Sequence, residues 1–137
     1  MPIANYTTSV PVSRTAPVMT RMLAKAGADA VTTLLKDGAV VGLVFGIVTE
    51  HGYRDYRVPV RVEPVLAALA AEPSLPPRHR NVVHAERVAW RIAHDWLRAQ
   101  LALIEAGMAT LDEVMFPYAL VGRDTTAYEA FAQRALE

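Results

Sequence analysis

The chain has no cysteine, which excludes a disulfide framework, a thiolate metal site and a cysteine nucleophile. Lysine is nearly absent, occurring only as Lys25 and Lys36. Serine occurs only at Ser9, Ser13 and Ser74, and no Gly-x-Ser-x-Gly elbow frames any of them. There is no Gly-x-Gly-x-x-Gly loop and no P-loop, so no ready nucleotide cradle. Neither sign of charge dominates, since 14 basic and 14 acidic residues cancel. The longest apolar run, residues 39–49, is too short to span a bilayer and contains Gly42 and Gly46. No basic segment leads into an apolar core at the N-terminus, so no signal peptide is expected, and the sequon Asn5-Tyr6-Thr7 is discounted. The expected setting is the cytoplasm, with no membrane partner.

What is present is a globular composition. Of 137 residues, 53% are hydrophobic and 20% charged, which suits one domain with a buried core. Charge shifts along the chain. Residues 54–98 hold eight arginines against five acids, and residues 99–137 two arginines against six acids. Such a dipolar chain suits an anion at one end, or head-to-tail association. Arginine favours bidentate contacts to phosphate or carboxylate, although a chain so rich in Ala, Arg, Leu and Val also fits GC-rich coding.

Loose alternation with β-branched residues predicts a first strand over 4–12. Ser13 and Thr15 are candidate N-caps for a helix over 15–26, with Pro17 in its first turn and Gly27 as its stop. Residues 29–36 read as a strand running into Asp37-Gly38, a strong hairpin signal. The strand over 39–49 places Val41, Leu43, Phe45 and Ile47 on one face. Its glycines suggest a bulge or a close approach by another segment. A strand over 53–62 carries Tyr56, Val58, Val60 and Val62 on one face and Tyr53, Asp55, Arg57 and Arg61 on the other. Pro59 makes it an edge strand.

A short helix over 63–71 begins near Pro64, and residues 72–80 form a Pro-rich linker. The main helix, over 81–106, is expected to bury Ala85, Val88, Ala89, Ile92, Trp96, Ala99 and Leu103, and to stop at Gly107. Thr110-Leu111-Asp112-Glu113 is a capping box, and Pro117 kinks or ends the helix it opens. Asp124-Thr125-Thr126 caps a last helix with Tyr128 and Phe131 facing inward. The expected fold is α+β over a single domain, 1–137. A β-α-β-β-β antiparallel sheet formed by 1–71 is covered by the helical half, 81–137.

Within the main helix, Arg80, His84, Arg87, Arg91, His94 and Arg98 recur at intervals of three and four, which places them on one face. Such a stripe can grip phosphates. Trp90 on its flank offers a base-stacking platform, and Arg57 and Arg61 extend the charge if their strand face lies beside it. The same spacing describes a solvated face partly neutralised by Glu86 and Asp95. The histidines His51, His79, His84 and His94 include no His-x-x-x-His pair, so no metal is expected. No catalytic constellation and no cofactor motif is legible. Leu97, Leu101 and Ile104 extend the helix's apolar surface beyond one stripe and point to a homo-oligomer.

The strings Arg87-Val88-Ala89-Trp90-Arg91-Ile92, Asp95-Trp96, Gln100 and Ile104-Glu105-Ala106-Gly107 resemble a family of small uncharacterised proteins of tailed phages and prophages. Asn5-Tyr6-Thr7-Thr8 and Phe116-Pro117-Tyr118 belong to the same likeness, which spans most of the chain with gaps in the Pro-rich middle. The resemblance implies a setting among phage genes for DNA replication, recombination or host takeover, and it transfers no catalytic residue. The resulting expectation is a non-enzymatic protein that binds nucleic acid, single-stranded DNA in particular, through the basic helix face. The alternative is a protein-interaction or anti-defence factor that uses the same surface against a host protein or a small nucleotide.

Overall fold

Asp37 and Gly38 both adopt positive φ, 53° and 80°, the geometry of the tight turn whose twist matches that of paired strands. In the computed structural model, which describes residues 2–136, this turn folds β1 (Ala30–Lys36) onto β2 (Ala39–Thr49). A second turn at Gly52 leads into β3 (Gly52–Arg57). The sheet is an antiparallel meander in the order β1-β2-β3. The register slips between Leu34 and Leu35, so Val41 is an extra residue on β2. Val41 is therefore half-exposed and Val40 turns to the core in its place. At Gly46 the Tyr53 side chain lies so close that a methyl group would not fit. Both glycines thus mark what their positions suggested, a bulge at one and a close approach at the other.

The helices are α1 (Val12–Lys25), α2 (Val62–Ala70), α3 (Val82–Glu105), α4 (Leu111–Met115) and α5 (Ala127–Leu136). Short 3-10 turns cover Pro77–His79 and Phe116–Tyr118. The fold is α+β, with one difference at its start. Residues 4–12 form no strand. The Thr8 hydroxyl accepts the Val10 amide at 3.2 Å, a local bond that competes with any ladder, and α1 begins directly after Pro11. Ser13 and Thr15 lie inside that helix rather than at its cap, and Pro17 falls in its second turn.

Trp90 marks a second difference. It is 1% exposed and packs in the main core with Met19, Leu23, Phe45 and Leu97. Trp96 is only half-buried, edge-on to Tyr118 at 5.5 Å. The cause is that α3 has neighbours on two sides. One side meets α1 and the core face of the sheet, while Ala85 and Val88 on the other meet Leu69 and Leu75. A helix packed on both sides has no single buried stripe, so its periodicity does not give its phase. Leu97, Leu101 and Ile104, expected at an oligomer interface, pack within the same chain.

Residues 72–80 are a packed connection, because Leu75 is 5% exposed within the second cluster. The capping box at Thr110 is present. Thr126 and Glu129 form another, with the Thr126 hydroxyl accepting the Glu129 amide at 3.2 Å. Tyr128 and Phe131 face solvent rather than the interior, 61% and 71% exposed. Among the described residues, no helix is long and apolar enough to cross a membrane.

Candidate anion-binding surface

The expected stripe on α3 is split by burial. His84 is buried, and its Nε2 meets the carbonyl of Tyr6. Its ring stacks on His79 with centroids 4.7 Å apart, and desolvation together with the His84 and Arg78 charges holds the His79 imidazole below its usual value. His94 is also buried, with Nδ1 3.0 Å from the Asp95 carboxylate. The other Asp95 oxygen accepts from Asn5 Nδ2 at 2.9 Å. The bonds from Asn5 and His94 hold this carboxyl below the usual range. With Trp90 in the core, three residues expected on the binding face are interior. The two imidazoles spend their nitrogens anchoring the N-terminal segment and Asp95.

Arg57 and Arg61 do not join the stripe. Arg57 donates to Asp124 Oδ1 at 2.8 Å. Arg61 borders an apolar hollow of about 300 Å³ with Val65, Ile92, Trp96 and Tyr118. Arg98 lines a different hollow, so Arg61 and Arg98 lie on different sides of α3. Arg80 is exposed in the turn just before the helix.

Arg87, Arg91 and Arg98 do stay together. At 100° per residue they fall within roughly 40° of one another. Arg98 is exposed and the other two are partly so. A contribution that the sequence reading missed comes from α1. Arg14, Arg21 and Lys25 are exposed and also fall within roughly 40°, opposite the buried Thr15, Ala16, Met19 and Leu23. Their spacing of seven and four was the signal. The helix carries no acidic residue. The last turn of α1 lies against the C-terminal half of α3, where Met22, Lys25, His94 and Arg98 line an open hollow of about 390 Å³ with Glu105 on its rim. Among the described residues, none of these six cations has a carboxylate within ion-pair distance.

One further polar cluster ties β3 to α4. The Tyr56 hydroxyl donates to Asp112 Oδ1, and Arg54 Nη1 reaches the same carboxylate at 3.1 Å while its guanidinium lies over the Phe116 ring. Burial and the Asp112 carboxylate push the Tyr56 phenol well above its usual value. This cluster is a structural clasp. Among the described residues, no three His, Asp or Glu side chains converge as a metal site.

No family model, curated protein or solved structure matches the chain.

Proposed function

We propose that the protein binds polyanions, nucleic acid foremost, by seating phosphates on the adjoining basic faces of α1 and α3. One observation carries this reading. Among the described residues, six cations on two packed helices have no carboxylate within ion-pair distance, in a chain whose net charge is zero. Unpaired arginines that share a face hold a standing field, and each can grip a phosphate with two parallel hydrogen bonds. Single-stranded DNA is the first substrate to try, in keeping with a phage or prophage setting. With Trp90 in the core, α3 offers charge without a stacking platform. Contacts then run to the backbone, and double strands bind as well.

The test is fluorescence anisotropy with single- and double-stranded oligonucleotides at two salt concentrations. The wild type should show a log–log salt slope of a few units. Arg91→Glu with Arg98→Glu should abolish binding, and Arg21→Glu with Lys25→Glu should weaken it as strongly, with far-UV circular dichroism unchanged. Absence of binding at low salt would overturn the reading.

A second reading rests on α5, where Tyr128 and Phe131 stand exposed on one helix. That pair suits a protein partner, such as a host factor. Partner capture that is lost on Tyr128→Ser with Phe131→Ser, yet kept on Arg91→Glu, would favour it.

A further inference from the structure

We infer that the hollow between α1 and α3 is a proton-dependent phosphate seat, where His94 Nε2, once protonated, joins Lys25 and Arg98 in gripping one oxyanion. The inference deepens the polyanion reading and rests on it.

The buried ring at the floor of the hollow carries the argument. His94 lines it together with Lys25 and Arg98, yet the residue is only 8% exposed. Its Nδ1 is engaged by the Asp95 carboxylate at 3.0 Å. A carboxylate can only accept, and the bonds from Asn5 and His94 keep Asp95 ionised. Nδ1 therefore carries the proton of the neutral ring, and Nε2 is left with a lone pair. Among the described residues Nε2 has no hydrogen-bond partner, and it is not one of the polar atoms sealed from solvent. A nearly buried side chain that presents a nitrogen without a partner to an open, cation-lined hollow is fitted to a ligand from outside. The lone pair repels a phosphate oxygen, whereas an imidazolium N–H donates to it with charge assistance.

The charges around the ring make anion and proton bind together. Asp95 lies against it and Glu105 stands on the rim of the hollow, and both favour the imidazolium. Lys25 from α1 and Arg98 from the next turn of α3 oppose it. Arg91, whose charge is felt at Asp95, does the same. An oxyanion between Lys25 and Arg98 offsets these like charges. Protonation then favours the anion, and the anion favours protonation. Affinity rises as pH falls across the range in which histidine changes charge. Asn5 holds the second Asp95 oxygen at 2.9 Å and so helps to position the ring from the N-terminal segment.

The test is anisotropy with a rhodamine-labelled oligothymidylate, in which dye, base and phosphodiester keep their charge between about pH 8 and about pH 5.5. The wild type should bind about tenfold more tightly at the lower pH. His94→Gln should lose that gain. Asp95→Asn should shift the rise to lower pH, an effect that a merely structural role would not produce. Both variants keep the other three histidines, and His84 lies roughly 15 Å from His94 along the helix. If the variants misfold, the wild type decides through the ring resonances of its histidines. Sulfate should carry the His94 titration to higher pH than chloride does at equal ionic strength. Oligonucleotide binding that is equal at both pH values, or whose pH dependence survives His94→Gln, would overturn the inference and spare the polyanion reading. A His94 titration that sulfate leaves unmoved would also overturn it. A titration raised by sulfate in a protein that binds no oligonucleotide would keep the seat and sink the nucleic-acid reading instead.

Discussion

Trp90 and Trp96 lie six positions apart on α3 and make opposite demands on the fold. Trp90 fills the space between α1 and the sheet, so Trp90→Ala should cost about 3–5 kcal/mol. Trp96→Ala should cost clearly less, since its indole already meets solvent beside Tyr118; urea melts of both variants measure the difference. Tyr56 makes a pH-dependent contribution. Its phenol, ordinarily titrating near 10, is raised by burial and by Asp112. The folded state thus holds this proton more tightly than the unfolded chain does. Its stabilisation is full below pH 10 and fades as pH rises above it. Tyr56→Phe should therefore lose less stability than the wild type between neutral pH and about pH 11, as followed by thermal melts. At this scale the arginines were legible and the histidines were not. Arginine charge shows in any helix register, whereas His84 is committed to a carbonyl 78 residues away, a partner that local spacing cannot reveal.

Elements announced by their ends were the readable ones. Asp37-Gly38, Gly27, Gly107 and the Thr110 box act within a few residues of themselves, and each lies where its chemistry requires. The supposed strand over 4–12 depended on a neighbour to pair with, because strand propensity is realised only in such a context. That segment instead lies along α3, held through Asn5 and Tyr6. The last helix shows both sides of this rule. Its cap was legible at Thr126, while its facing was not, since α5 packs chiefly on the Phe116–Tyr118 turn. Thr126→Ala removes the hydroxyl that accepts the Glu129 amide and donates to the Glu129 carboxylate, and leaves the bond from the Thr126 amide to that carboxylate. The expected loss is about 1 kcal/mol, felt as local opening. Amide exchange should quicken across residues 127–134 and stay slow in β2.

In the whole molecule the sheet-forming and helical halves share one interior. Phe45 and Met19 from the first half pack with Trp90 and Met115 from the second, and Leu75 fastens the connection between them. Unfolding should therefore be a single transition, with circular dichroism and tryptophan fluorescence coincident in urea. Leu75→Ala should shift both signals together by about 2–5 kcal/mol, and transitions that separate would show two independent units. The α+β class and the helix-covered sheet were visible from patterning. The composite basic face was not, because it combines α1 with α3 and only packing reveals that the two are neighbours. The long reach from Asn5 to Asp95 also sets a timetable. A ribosome makes the first partner roughly 4 to 18 seconds before the second, at the usual pace of synthesis. Through that interval the β meander can close by its local turns, yet Leu43 and Phe45 have no Trp90 or Leu97 to meet. The newborn chain thus waits with only α1 to cover its inner sheet face until α3 emerges, and Asn5 finds its place later than many residues made after it.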